Sequence, residues 1–180
     1  MAVTARKPKG DFEPIPLGTQ QAVCVFVEDI GTHEGNYQGK TYMRHQIVVC
    51  WELGEKMMKP PNEGMPFLVT KFYTLSLGDK ANLRKDLESW RGKAFTAEEL
   101  EGFDVQKLIG VNCLLNITEY EKRDGTKAQG IGAISQLMKG MTPIKAIRTE
   151  PPEWIAKMRS ESEEMKSCAG DGADGEDEAR

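Results

Sequence analysis

Three strand-like runs, one amphipathic helix and two further strands joined by an Asp-Gly turn follow one another along this chain, and that order predicts a mainly β protein. The β-β-β-α-β-β layout is that of a five-stranded OB-fold Greek-key barrel, with a helix between strands 3 and 4, here flanked by flexible N- and C-terminal tails. Barrels of this kind take single-stranded nucleic acid or oligosaccharide on the face of strands 2 and 3 and between their loops. The layout therefore points to a binding module rather than an enzyme.

Residues 1–18 carry Pro8, Pro14, Pro16, Gly10 and Gly18 around the basic cluster Arg6, Lys7 and Lys9, which suits an arm rather than a regular element. The barrel is placed at residues 19–142. Its first strand runs over about 19–30, where Val23, Val25 and Val27 alternate with Cys24, Phe26 and Glu28, and residues 31–39 follow as a polar loop. The second strand, 41–53, puts Met43, Ile47, Val49, Trp51 and Leu53 on a core side, and Tyr42, Arg44, Gln46, Val48 and Cys50 on the other. A long connection containing Pro60-Pro61 leads to strand three at 67–75. Its sidedness stays open, because Leu68 and Phe72 compete with Phe67, Val69 and Leu75 for the interior.

Ser76-Leu77-Gly78-Asp79 has the form of a capping box, and Leu83, Leu87 and Trp90 follow at i, i+4, i+7, which predicts one helix with one apolar stripe, ended by Gly92. Thr96 followed by Glu98 and Glu99 resembles a second capped turn within 95–108. Strands four and five, 111–120 and 127–137, flank Asp124-Gly125, a strong hairpin signal that makes them adjacent and antiparallel. Residues 143–180 read as a linker, a short amphipathic segment around Trp154, Ile155 and Met158, and an acidic tail that is disordered on composition.

At 180 residues, 39% of them hydrophobic and 29% charged, the chain fits one soluble domain with extensions. No apolar run approaches the roughly 18 residues of a membrane span, and the N-terminal stretch lacks an apolar signal region. A cytoplasmic protein is expected. Cys24, Cys50, Cys113 and Cys168 show no CxxC spacing and read as reduced thiols, and His33 and His45 are too few and too scattered for a Cys/His metal site. No metal or other cofactor is expected.

Enzymatic motifs fail on spacing. Gly35 to Thr41 has three residues between its glycines where a phosphate loop needs four, and a strand follows where that loop needs a helix. His33-Glu34 lacks the second histidine of a zinc-protease helix. No nucleophile motif surrounds either histidine, so no catalytic residues are assigned.

Binding chemistry is richer. On an exposed face of strands two and three, Tyr42, Arg44 and Gln46 would stand beside Phe67, Lys71 and Tyr73, and rings interleaved with cations suit single strands through base stacking and phosphate contacts. The loop between strands one and two adds Tyr37 and Lys40, and the hairpin between strands four and five adds Lys122, Arg123 and Lys127; in an OB-fold these two loops flank the binding face. Residues 1–150 hold 20 Lys+Arg against 19 Asp+Glu, whereas 151–180 hold 4 against 9, so the acidity lies in the tail. That tail suits competition with nucleic acid for the basic face or docking of other replication or recombination proteins, although it ends Glu178-Ala179-Arg180 without a terminal hydrophobic residue.

The runs Tyr73 to Leu77, Ala81 to Lys93 and Leu108 to Cys113 resemble small replication-associated proteins of tailed bacteriophages, thought to be OB-fold single-stranded DNA-binding proteins. The similarity covers roughly residues 17–140 and marks the scaffold of strand 3, helix and strand 4. It implies single-stranded DNA as the partner and a part in phage DNA replication or recombination. The competing expectation is an OB-fold adaptor or inhibitor that binds a protein on the same face, which the near-neutral body favours.

Overall fold

The computed structural model describes residues 13–170. Five strands, β1 (Gly18–Tyr37), β2 (Lys40–Lys56), β3 (Pro66–Thr74), β4 (Asn112–Glu121) and β5 (Lys127–Gln136), form one antiparallel sheet in the order β3-β2-β1-β4-β5. The first four strands thus stand in the Greek-key order 4-1-2-3. No hydrogen-bonded ladder joins the edge strands β3 and β5, so the sheet is open where a closed barrel was expected.

Helix α1 (Asn82–Arg91) packs against both edge strands. Its stripe of Leu83, Leu87 and Trp90 is buried as the spacing predicts, and it meets Ile47, Val49, Trp51, Phe67, Val69, Leu115 and Ile134 in the main core. Gly92 closes the helix in the left-handed region at φ 68°. The capping box expected at residues 76–79 does not form: Ala81 occupies the N-cap without a side-chain hydrogen bond, and the Ser76 hydroxyl accepts from the Gly78 amide instead. The box forms at Thr96 and Glu99, at the head of the short helix α2 (Ala97–Glu101). A 3-10 turn (Val105–Leu108) then leads into β4.

Over residues 22–27 strand β1 is buried on both faces, and two bulges interrupt its alternation. The register slips between Cys24 and Phe26 and again between Asp29 and Gly31. Cys24 and Val27 therefore point into the main core, while Val23, Val25, Phe26 and Ile30 join Val48 and Cys50 in a second cluster on the outer face.

What covers that outer face is the chain after residue 142. Asn112 exchanges hydrogen bonds with the Ile144 backbone, its amide donating to the carbonyl at 2.9 Å and its carbonyl accepting from the amide at 2.9 Å. Glu52, 1% exposed, accepts from the amides of Ile147 (2.7 Å) and Arg148 (2.8 Å) and pairs with the Arg148 guanidinium at 3.3 Å. The amphipathic segment around Trp154 is the start of an 18-residue helix, α3 (Glu153–Gly170). Ile155 and Met158 pack on the outer cluster, Arg159 reaches Glu28 and the Asp29 carbonyl, and Ser162 exchanges hydrogen bonds with the Thr32 backbone. Gly31, at φ 81°, permits that approach: a Cβ there would run into the Ser162 hydroxyl.

The end of the N-terminal arm is fastened too. Glu13 accepts from the amides of Met58 and Lys59, and Ile15 exchanges hydrogen bonds with the Gln129 side chain. The basic cluster at 6–9 and the acidic residues from 171 onward lie outside the described residues. Among the described residues, no helix is long and apolar enough to cross a membrane.

Candidate nucleic-acid interface

Residues 31–39 do not form the polar loop expected from sequence. β1 continues to Tyr37, β2 begins at Lys40, and Gln38-Gly39 makes a two-residue turn with both φ angles positive, 52° and 74°. Such a turn carries the twist that two antiparallel strands need. The result is a long two-stranded ribbon in which every residue from 31 to 46 is at least partly exposed.

The register sorts this ribbon into two faces. Tyr37 stands opposite Lys40, Gly35 opposite Tyr42, His33 opposite Arg44 and Gly31 opposite Gln46. Residues directly opposite share a face and faces alternate along a strand, so Tyr37, Lys40, Tyr42, Arg44 and Gln46 all project from one side. The other side carries Asn36, Thr41, Glu34, Met43, Thr32 and His45. His45, on that side, is bonded to the Asp29 carboxylate at 2.8 Å and partly exposed rather than packed. Arg44 lies over the Tyr42 ring at 5.7 Å, a cation-π contact that holds both side chains along the face. Tyr37 is 59% exposed and Tyr42 41%.

The same side continues onto β3, because Gln46 pairs with Thr74 and Val48 with Phe72. An open cleft of about 720 Å³ lies there, lined by Arg44, Gln46, Phe72, Thr74, Lys80 and Asn82 among others. Thr74, Phe72 and Lys80 are additions that the sequence did not single out as binding residues; the cross-strand register that brings them to Arg44 exists only in the folded sheet.

Two expected site residues belong elsewhere. Tyr73 is 3% exposed and lies in the main core, where its hydroxyl donates to Asp86 of α1 at 2.7 Å, and Lys71 donates to the same carboxylate oxygen at 2.7 Å. Burial first, and then the Asp86 charge, push the Tyr73 phenol far above its usual range. Phe67 is buried beside them. The inner face of β3 is thus its odd-numbered side, and the Lys71 and Tyr73 side chains tie that strand to α1; Tyr73, though buried, still borders the cleft, whereas Lys71 does not line it.

The hairpin between β4 and β5 forms as its Asp-Gly signal predicts, with Gly125 at φ 79° and the Lys122 amide bonded to the Thr126 carbonyl. The Thr126 hydroxyl and amide hold the Asp124 carboxyl below the usual range. Lys127 is paired with Glu119 at 2.9 Å, while Lys122 and Arg123 are exposed. This hairpin stands at the Gly18 end of β1, since Gly18 pairs with Ile117, and the ribbon stands at the Tyr37 end. Lys122 and Lys127 line a separate cavity with Pro14, Ile15 and Gln129. That cavity shares no lining residue with the cleft beside Arg44.

Charge pairing separates the cations into two groups. Lys71, Arg84, Arg91, Lys127, Arg148 and Arg159 each hold a carboxylate, whereas Lys40, Arg44 and Lys80 have none within ion-pairing distance among the described residues. The one carboxylate at the cleft, Asp79, is engaged by Arg84 at 2.6 Å. A face with uncommitted cations and half-bare rings is chemically suited to a polyanion that also carries flat bases. No protein-family model matches the chain, and no curated protein matches it.

Proposed function

We propose that this protein is a non-enzymatic single-stranded DNA-binding protein with little sequence preference, acting in phage DNA replication or recombination. The observation that carries the reading is the shared face of Tyr37, Lys40, Tyr42 and Arg44 on an exposed ribbon, with both cations free of carboxylates among the described residues. Rings in such a track stack on bases of any kind, and the cations meet the phosphates. The strand order supports an OB-type sheet opened between β3 and β5, with the ribbon as its loop between strands 1 and 2. The resemblance of residues 73–113 to phage replication proteins supports the same setting.

Titration of labelled oligo-dT with the full chain, read by fluorescence anisotropy at several salt concentrations, tests the reading. With about three phosphates met by Lys40, Arg44 and Lys80, log K should fall against log salt with a slope of about −2, from −0.7 per contact on single strands. Folded protein that shows no binding at low salt would remove the proposal. The competing function, an OB-type adaptor or inhibitor of another protein, is favoured by the near balance of charge over residues 1–150. Nuclease-resistant capture of one protein, without oligonucleotide binding, would select it.

A further inference from the structure

We infer that the DNA path continues past the ribbon to a second stacking platform, formed by Phe72 of β3 and Trp154 at the start of α3. The inference rests on the single-strand-binding reading above and makes the C-terminal helix part of the binding surface.

The two rings lie 5.8 Å apart at 51°, yet neither is buried: Phe72 is 44% exposed and Trp154 38%. The next residue, Ile155, is 1% exposed. Docking of α3 is carried by Ile155, Met158, Arg159 and Ser162, which occupy one stripe at helical spacing. Trp154 stands beside that stripe, on the rim, and leaves ring surface bare where a base can lie.

Position supports the same conclusion. Phe72 stands opposite Val48 on the side that carries Tyr42, Arg44 and Gln46, and it forms part of the wall of the 720 Å³ cleft that contains Arg44 and Lys80. From Tyr42 to Val48 is six strand residues, or about 20 Å at roughly 3.3 Å each. At about 3.4 Å per stacked nucleotide that distance corresponds to roughly six nucleotides, within the run of about 4 to 16 that one OB-type fold accommodates. Bases would stack on Tyr42 at one end and on the Phe72–Trp154 pair at the other, while the intervening sugar-phosphates cross the cleft beside Arg44 and Lys80. Exposed Glu153 and Lys157 flank Trp154 with opposite charges, so the platform offers stacking and the cleft offers the cations.

Intrinsic fluorescence gives a direct test, because Trp51 and Trp90 are 0% and 3% exposed and Trp154 is the indole a base can reach. Adding unlabelled oligo-dT to the full chain should quench tryptophan emission, and the quench should vanish in Trp154→Phe. Phe72→Ala and Trp154→Ala should each weaken binding about fivefold or more by anisotropy, the equivalent of losing one base stack. Trp154→Phe should bind within about twofold of the parent, since it keeps a ring. Wild-type binding by anisotropy with unchanged emission, or Trp154→Ala binding as tightly as the parent, would overturn the platform while leaving the single-strand-binding reading intact. Absence of any binding by the folded wild type would overturn both. Should Trp154→Ala detach α3, seen as an altered urea transition, the quench lost or kept in Trp154→Phe decides the matter.

Discussion

Replacing Tyr73 by Phe removes one oxygen atom and separates two roles for an aromatic residue on β3. Its ring is 3% exposed, and its hydroxyl donates to Asp86 at 2.7 Å, beside the Lys71 ammonium on the same oxygen. A hydrogen bond to a charged group contributes about 1.5–3 kcal/mol. The Asp86 and Lys71 side chains are 23% and 29% exposed, so water and the remaining ion pair can partly replace the lost donor. The cost should fall at the low end, near 1.5 kcal/mol, with the apolar packing of the ring unchanged. Urea unfolding should show a lower midpoint at constant slope, and oligo-dT affinity measured where both forms are folded should not move. Unchanged stability would mean that the Asp86 contact contributes nothing; a loss of affinity without a loss of stability would mean that β3 presents its other face to the ligand.

Three further perturbations follow from the same geometry. Glu52→Gln leaves Arg148 without its carboxylate and turns one amide acceptor into a donor facing an N–H, and removing one partner of a buried pair costs about 3–5 kcal/mol; a urea midpoint within error of the parent would show that residues 143–150 are not held by this carboxylate. Burial raises the thiol pKa of Cys50 and Cys113 from 9.0 to about 12, so the folded state keeps protons that the unfolded state releases. Stability is fully present below about pH 9 and is lost as pH rises toward about 12, and urea midpoints should fall more gently over that limb in Cys113→Ala than in the parent. Deleting residues 171–180 removes five acidic residues and one arginine, and should tighten oligo-dT binding most at low salt if the tail competes for the cationic face; equal affinity at low salt would assign the tail another task.

The parts of this fold that could be read from sequence are those in which one periodicity or one turn decides the structure. Leu83, Leu87 and Trp90 mark the buried side of α1 without ambiguity, Asp124-Gly125 specifies the β4–β5 hairpin, and the Ile47 to Leu53 alternation defines the inner face of β2. β3 resisted because it is apolar on both sides: Phe67, Val69 and Tyr73 fill the core, while Leu68 and Phe72 lie toward the outer face covered by residues 143–166. That cover is distant in sequence, and nothing in the strand announces it. The ribbon was hidden for the opposite reason, since exposed strands need no hydrophobic alternation and Gln38-Gly39 is a weaker turn signal than Asn-Gly or Asp-Gly. Tyr37, Lys40, Tyr42, Arg44 and Gln46 were nonetheless recoverable as candidates, because mixed aromatics and cations near a turn are visible in composition. Alternation alone put Tyr42, Arg44 and Gln46 on one face; adding Tyr37 and Lys40 to it needed the register, and Trp154 beside Phe72 needed the folded helix.

Tyr42 and Met43 are neighbours on one exposed strand that project from opposite faces of the ribbon, 41% and 59% exposed. Oligo-dT affinity of Tyr42→Ala compared with Met43→Ala, measured by anisotropy at one low salt concentration with equal urea midpoints, is therefore the most direct test of the account. Loss of one base stack, about 1–3 kcal/mol, weakens Tyr42→Ala by roughly 5- to 150-fold, and Met43→Ala binds as the parent does. Equal affinities in the two variants, or a greater loss in Met43→Ala, would contradict the assignment of the Tyr37–Arg44 face as the surface that holds DNA.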